Sequence, residues 1–327
     1  MFRIIQRRYW YFGLSLAVII AGLISISVNG IPLSIDFTGG TIYDLEFERA
    51  DVGEFEIRDV YDELGIEDVK VVQATSETGS RFLVRSKPIP DTIVGTGEED
   101  GNESGAQATQ SRKEVLAAAL ESEIGPFEEL RFESIGAAVG ELVTRNATLA
   151  VALASIAVAL YLIVMFRHLS HPGRYGICTI IALIHDVLIT LGLASLMGAL
   201  FGWEVDALFL TALLTIIGFS VHDSIVVFDR IRENASRMRG LSYESLVNHS
   251  VIQTLDRSIN TQLTALFTLV AIYAFSQGQL ERFLFWLIIG LISGTYSSIF
   301  TAAPALVVWE NREWQRWFGG RRTKATA

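Results

Sequence analysis

Two adjacent histidine–aspartate pairs, His185-Asp186 and His222-Asp223, sit inside long apolar stretches, in the runs ALIHDVLITLG and TIIGFSVHDSIVVFDRIREN. A carboxylate at the centre of a bilayer costs about 2.5–3.5 kcal/mol on insertion scales, so an ionisable side chain there is by default a functional group. Carboxyl and imidazole groups in a low-dielectric setting can take up and release protons near neutral pH. The chemistry offered is therefore proton relay, with Asp223, His222, Asp186 and His185 as the predicted carriers. Ser220 precedes Asp223 by three residues and is expected on the same helix face. A plainer reading is that these groups only hydrogen-bond neighbouring helices, worth about 1 kcal/mol each. A metal site is the third reading, and geometry opposes it. Each histidine lies about 100° around the helix from its aspartate, so one shared ligation point is awkward and no metal is expected.

The elements that must hold these residues follow from composition. The 327 residues are 50% apolar and 19% charged, too apolar for an ordinary soluble protein. Six runs, 9–28, 142–166, 175–200, 207–228, 259–275 and 283–309, approach the roughly 20 apolar residues that a helix needs to span a bilayer. They are continuous rather than alternating, which predicts helices, not a barrel. Arginines cluster on alternate sides of these runs. Arg3, Arg7 and Arg8 precede the first, Arg167 and Arg174 follow the second, and Arg230, Arg232, Arg237, Arg239 and Arg257 follow the fourth. Arg312, Arg316, Arg321, Arg322 and Lys324 fill the tail. This bias predicts cytoplasmic termini, 1–8 and 310–327, and a cytoplasmic connection at 229–258. That connection has its own helical pattern and is expected along the membrane surface or as a solvated connector. The first run lacks an A-x-A-like cleavage site and is expected to be a retained anchor.

Residues 29–140 are different. They hold 24 Asp and Glu against nine Lys and Arg, a local balance of −15 where the whole chain carries −10. An acidic polar domain thus interrupts a basic membrane protein, and a domain of that sign is unsuited to nucleic acid. An extended run at 34–47, helical spacing at 54–64, strands at 69–74 and 81–86, a helix at 112–124 and a strand at 129–134 give the order β-α-β-β-α-β. That order predicts a ferredoxin-like α+β domain outside the membrane. Residues 90–110, rich in Gly, Ser, Thr and acid, are expected to be a mobile insertion.

Gly290 and Gly294 form a GxxxG pair in the last run, and Gly218 neighbours Ser220; all three are expected to let helices approach closely. One cysteine, Cys178, excludes an intrachain disulfide. No Walker A motif, dinucleotide glycine loop or nucleophile elbow is present, so no nucleotide cofactor is expected.

Five ordered motifs carry a resemblance. They are Asp36-Phe37-Thr38-Gly39-Gly40; Val139-Gly140-Glu141-Leu142; Ala182-Leu183-Ile184-His185-Asp186-Val187; Ile217-Gly218-Phe219-Ser220 with Asp223 and Phe228-Asp229-Arg230-Ile231-Arg232-Glu233-Asn234; and Gln253-Thr254-Leu255 through Arg257-Ser258-Ile259-Asn260-Thr261. In these the chain resembles the SecD/SecF family of bacterial protein-export membrane subunits, relatives of the RND transporter superfamily. The resemblance implies six of twelve helices, with SecD supplying the rest beside the SecYEG channel in the cytoplasmic membrane. It further implies a role for the proton motive force in late, ATP-independent translocation of SecA-driven preproteins, with YajC as a further partner, and no enzymatic activity. Asp223 matches the family's fourth-span proton-pathway aspartate; Asp186 and His185 match a third-span motif of less defined role. His222 departs from the asparagine common before that aspartate, which puts the pH dependence in question.

Two rivals remain at the level of sequence. An intramembrane aspartyl protease also needs two aspartates on neighbouring spans, but the contexts here, Ile184-His185-Asp186 and Val221-His222-Asp223, differ from such enzymes. An RND-type exporter of small molecules or lipids would share the proton logic, although one outer domain leaves little room for a substrate vestibule.

Overall fold

In the computed structural model, residues 3–49, 51–74, 80–89, 105–167, 171–238, 240–313 and 315 are described. Most of the 90–110 segment, Arg239 and the tail arginines beyond 315 lie outside them. The chain divides into two units, Leu33–Ala147 and the remainder.

In the smaller unit, Ser34 caps a single helical turn, α2 (Ile35–Thr38), by accepting from the Asp36 amide at 3.2 Å; α1 belongs to the other unit and is described below. The predicted extended run therefore begins with a turn, and β1 (Gly40–Phe47) starts only after Gly39. Gly39 has φ +70°, and a Cβ there would meet the Ala137 Cα at 2.7 Å. Both the backbone region and the crowding demand glycine. α3 (Glu54–Glu63), β2 (Lys70–Ala74), β3 (Ser80–Ser86), α4 (Gly105–Glu123) and β4 (Phe127–Ile135) follow. α4 starts seven residues before the expected 112, so residues 105–110 are helix rather than mobile insertion. The sheet order is β2-β3-β1-β4 with every neighbouring pair antiparallel. The period-2 alternation of β1 sends Tyr43, Leu45 and Phe47 into a core with Phe82, Ile57, Tyr61, Leu116 and Leu120. Asp44 points the other way and receives both arms of Arg81, at 2.9 and 2.7 Å.

The larger unit is helical: α1 (Arg8–Asn29), the part of α5 (Ala137–Met165) from Thr148 onward, α6 (Pro172–Phe201), α7 (Ala207–Arg237), α8 (Tyr243–Tyr273), α9 (Gly278–Ser297) and α10 (Ala303–Glu310). Among the described residues, five stretches are long and apolar enough to cross a membrane: Ile5–Asn29, Ala137–Met165, Gly173–Phe201, Ala207–Arg237 and Gly278–Glu310. The expected span at 259–275 is the C-terminal half of α8 and is not among them. The last stretch is interrupted by a π-helical turn at Ser298–Ala302, just ahead of Pro304. Helix ends obey local chemistry. Asp206 caps α7 by accepting from Phe209 N at 2.7 Å, and Ser242 caps α8.

The connection expected at 229–258 is not a separate segment. α7 continues to Arg237 and α8 begins at Tyr243, so the two form a hairpin. The apolar face of its second arm, Leu246, Val247 and Val251, packs with Val227, Phe228, Ile231 and Phe166 in the bundle core. At the same end, Arg8 donates to Glu313 at 2.7 and 3.2 Å and Tyr9 donates at 2.6 Å, joining α1 to the residues after α10. Burial opposes ionisation of Glu313, but the Tyr9, Arg8 and Asn311 hydrogen bonds outweigh it and hold the carboxyl below its usual range.

Small residues set the helix spacing. A Cβ on Gly192 of α6 would meet the Gly22 Cα of α1 at 2.6 Å; one on Gly290 would meet Ile216 at 2.1 Å, and one on Gly294 would meet Ser220 at 3.2 Å. Gly218, expected to act similarly, has nothing within 4 Å of its Cβ position. It makes no close approach.

Gly192→Ala should cost about 1–3 kcal/mol by overpacking and lower the melting midpoint of the detergent-solubilised protein. Gly218→Ala should leave that midpoint unchanged or raise it. The Glu313 contact should stabilise above the ordinary carboxylate range and fade as pH falls through the lowered Glu313 value. Melting scans should therefore separate Glu313→Gln from the parent at neutral pH and bring them together in acid.

Candidate functional site

Asp186, on α6, is fully buried and saturated with donors. Its Oδ1 accepts from Ser293 Oγ at 2.7 Å and lies 3.0 Å from His185 Nδ1; its Oδ2 accepts from Ser220 Oγ at 2.6 Å and Ser297 Oγ at 2.7 Å. Residues from α6, α7 and α9 thus converge on one carboxyl group. His185 is also buried, and its Nε2 lies 3.1 Å from Ser15 Oγ of α1. Ser15 reaches the Tyr296 hydroxyl at 3.3 Å, and Tyr296 donates to the Tyr11 carbonyl at 3.0 Å. The His185 ring stacks on Tyr296.

Asp223, on α7, is equally buried but sparsely partnered. Gln262 Nε2 of α8 donates to its Oδ2 at 2.6 Å, and His222 Nδ1 lies 4.0 Å from its Oδ1. The His222 side chain is 66% exposed, so the two predicted pairs are unlike: one histidine is built into the interior and the other faces outward. Ser220 also departs from expectation. It serves Asp186 across the α6–α7 seam and not Asp223 on its own helix.

One turn and more along α7 from Asp223, the motif residues tie the hairpin together. Asn234 Nδ2 donates to Ser250 Oγ and to Gln253 Oε1, both at 2.9 Å, and Arg230 Nε donates to the same Gln253 oxygen at 2.7 Å. Arg230 and Arg237 pair with Glu233, and Arg232 with Asp229. In the other unit, Phe37 is buried and its carbonyl accepts from Thr144 Oγ1 at 3.0 Å, while Thr38 Oγ1 bonds back to the Ser34 carbonyl. Asp36, Phe37, Thr38, Gly39 and Gly40 form a tight turn into β1.

Sequence reading missed Gln262, Ser293, Ser297 and Ser15. Gln262 directly follows the noted Arg257–Thr261 motif, and Ser293 and Ser297 flank Gly294; hydroxyls and amides inside apolar runs were the available signal. Among the described residues, no three His, Cys, Asp or Glu side chains converge where a cation could be ligated.

Removing a donor from a desolvated carboxylate should cost about 1–3 kcal/mol. Ser220→Ala is expected to lower the melting midpoint accordingly. In a double-mutant cycle with Asp186→Leu, the serine change should cost about 1 kcal/mol less, since no carboxylate remains to be satisfied.

Two family models match the chain. The C-terminal model of the protein export membrane proteins SecD/SecF matches residues 115–312, and the SecD/SecF GG motif matches 24–51. A protein translocase subunit SecF of Anaerolinea thermophila is 47% identical over 97% of this chain and 97% of its own length. One from Thermobaculum terrenum is 44% identical over 100% of this chain and 99% of its own. The crystal structure of SecDF from Thermus thermophilus superposes with a TM-score of 0.74 at 33% identity, covering 95% of this chain and 39% of that longer one. With its five apolar helices, the protein is a multi-pass membrane protein. The chain belongs to the SecD/SecF family of protein export membrane proteins.

Proposed function

We propose that this chain is the SecF-type subunit of the Sec protein-export complex, and that with SecD it uses the proton motive force to drive late, ATP-independent steps of preprotein translocation. The export role is supported by full-length relatives named as translocase subunits. A SecD partner is supported by the longer Thermus thermophilus SecDF, of which this chain matches 37%.

The finer architecture belongs to the same proposal. The C-terminal half of α8 makes the sixth span, completing alternate crossings between the α6–α7, α7–α8 and α8–α9 turns. The β-α-β-β-α-β order with sheet order β2-β3-β1-β4 fits a ferredoxin-like domain. The arginine bias favours cytoplasmic termini in a bacterial cytoplasmic membrane, with the acidic domain outside, within reach of SecYEG, YajC and emerging chains.

The observation that carries the proton mechanism is Asp223: a carboxyl group removed from water, with a single neutral amide donor supplied by another helix. Charge on Asp223 strengthens the Gln262 bond; protonation weakens it and loosens α7 against α8. A unit charge crossing the membrane potential releases about 2.3 kcal/mol per 100 mV, comparable to such a change in packing. Asp186, with its three serine donors, His185 and Ser220 hold the neighbouring helices in register and extend the polar layer toward α1. His222 faces outward beside Asp223, where a partner helix would meet it.

The protease reading is disfavoured. Among the described residues no hydrogen bond joins Asp186 to Asp223, and the Asp186 oxygens are already occupied, whereas an aspartyl dyad shares one proton between facing carboxyls.

Asp223→Asn keeps the shape and an acceptor for Gln262 but cannot ionise. It should accumulate normally in membranes and abolish the gradient-dependent part of preprotein export, measured in membrane vesicles with and without an uncoupler. Export equal to the parent, with the same uncoupler sensitivity, would reject the proton role.

A further inference from the structure

A groove of about 530 Å³ runs between α1, α8 and α9. Ile4 and Tyr11 form one wall, Leu255 and Leu266 mark its two ends on α8, and Phe300 and Leu291 mark them opposite. Ile259 and Ile292 on its rim are 39% and 53% exposed, so the hollow opens to whatever surrounds the bundle. Its deeper polar side chains are already spent. Gln262 donates to Asp223, Thr295 to the Leu291 carbonyl and Tyr296 to the Tyr11 carbonyl. Apolar hollows stay dry, so what fills this one is hydrocarbon.

Length decides which hydrocarbon. Leu255 and Leu266 are 11 residues apart, about 16 Å of helix. That is half of a hydrocarbon core about 30 Å thick. A spanning partner helix would make contact over the full thickness, whereas one acyl chain of a single leaflet matches the half.

The mouth of the groove has a matching head site. Tyr11 also borders a second hollow, of about 430 Å³, with Gln6, Arg7, Tyr9 and Trp10. Arg7 lies three residues after Ile4 and four before Tyr11, spacings that put all three on one helix face. The Arg3 and Arg7 side chains are exposed and, among the described residues, form no ion pair, unlike Arg8, which engages Glu313 and Glu244. Trp10 is 67% exposed, as an amphipathic ring is where it meets the headgroup layer. On α8, Asp256 and Arg257 follow Leu255 and cancel, so Arg3 and Arg7 give the mouth a positive sign.

We propose that this groove holds one acyl chain of an anionic phospholipid whose phosphate sits on Arg7 and Arg3. The chain lies along α8 between Leu255 and Leu266, and Trp10 borders its head. Lipid tails are as apolar as the groove walls, so the fit of the chain supplies dispersion contact and the headgroup charge supplies the selection. The site is separate from proton exchange at Asp223 and does not depend on that reading.

The test is native mass spectrometry of the full chain, alone and with SecD, stripped of lipid in detergent and then offered phosphatidylglycerol or phosphatidylcholine with identical chains. The parent should retain one phosphatidylglycerol in preference to phosphatidylcholine, by roughly fivefold for each arginine engaged. Arg7→Gln should lose about fivefold of that preference, and Arg7→Lys, which keeps the charge, should keep most of it. Ile259→Trp, which fills the groove from its rim, should lower retention of both lipids with the melting midpoint in detergent unchanged; Ile292→Trp makes the same test from the opposite wall. Equal retention of the two lipids by the parent, or an unchanged preference in Arg7→Gln, would overturn the headgroup site. Parental retention in both tryptophan variants would overturn the groove. Loss of the bound lipid when SecD is present would overturn the proposal as well, since a partner surface would then be the occupant.

Discussion

The bundle depends on one electrostatic constraint: a carboxyl group taken out of water must find its donors inside the protein. Asp186 finds them on three helices. Ser220 comes from α7, Ser293 and Ser297 from α9, and His185 from its own helix. Serines reach only a short distance, so the backbones must come close. Gly294 packing on Ser220 and Gly290 on Ile216 provide that closeness. The polar centre and the small-residue seam are one requirement expressed twice, and His185 with Ser15 carries it to α1, itself held to α6 by Gly22 against Gly192.

Asp223 obeys the same constraint with less to spare. Its single strong donor is an amide on α8, and its neighbouring histidine points away. Asp186 ties α6, α7 and α9 together through both of its oxygens, whereas Asp223 makes one hydrogen bond to α8. The two acids that look alike in sequence are therefore suited to different work. Asp186 is suited to fixing helix register and Asp223 to the proposed cycle of proton uptake and release. The α7–α8 hairpin extends that logic, because the helix that supplies Gln262 also carries the buried polar face down to Asn234 and Arg230.

The smaller unit is built on separate principles. Its sheet buries Tyr43, Leu45, Phe47 and Phe82 on one face, and the Asp44–Arg81 pair occupies the other. The turn ahead of β1 is set by backbone geometry: Ser34 caps one helical turn, and Gly39 follows at positive φ where a side chain would strike Ala137. The Asp36–Gly40 motif is thus first a steric device.

Much of this was legible in the amino-acid order alone. Apolar run length located the helices, alternation and turn residues located the four strands, and charged residues in apolar runs singled out Asp186 and Asp223, because each of these signals is local. Other segments carry an ambiguous local pattern. Residues 34–38 fold as a helical turn, 105–110 as the start of α4 and 229–258 as the two arms of a hairpin, because short or amphipathic segments take their final form from what they pack against. Which donors meet which acid was beyond the sequence. Ser220 lies three residues from Asp223 yet bonds Asp186, and Gln262 lies 39 residues from Asp223 yet completes it. Composition determined that buried acids would need partners; only the packing of α6 through α9 decided their identity, because hydrogen bonding reads distance in space and not along the chain.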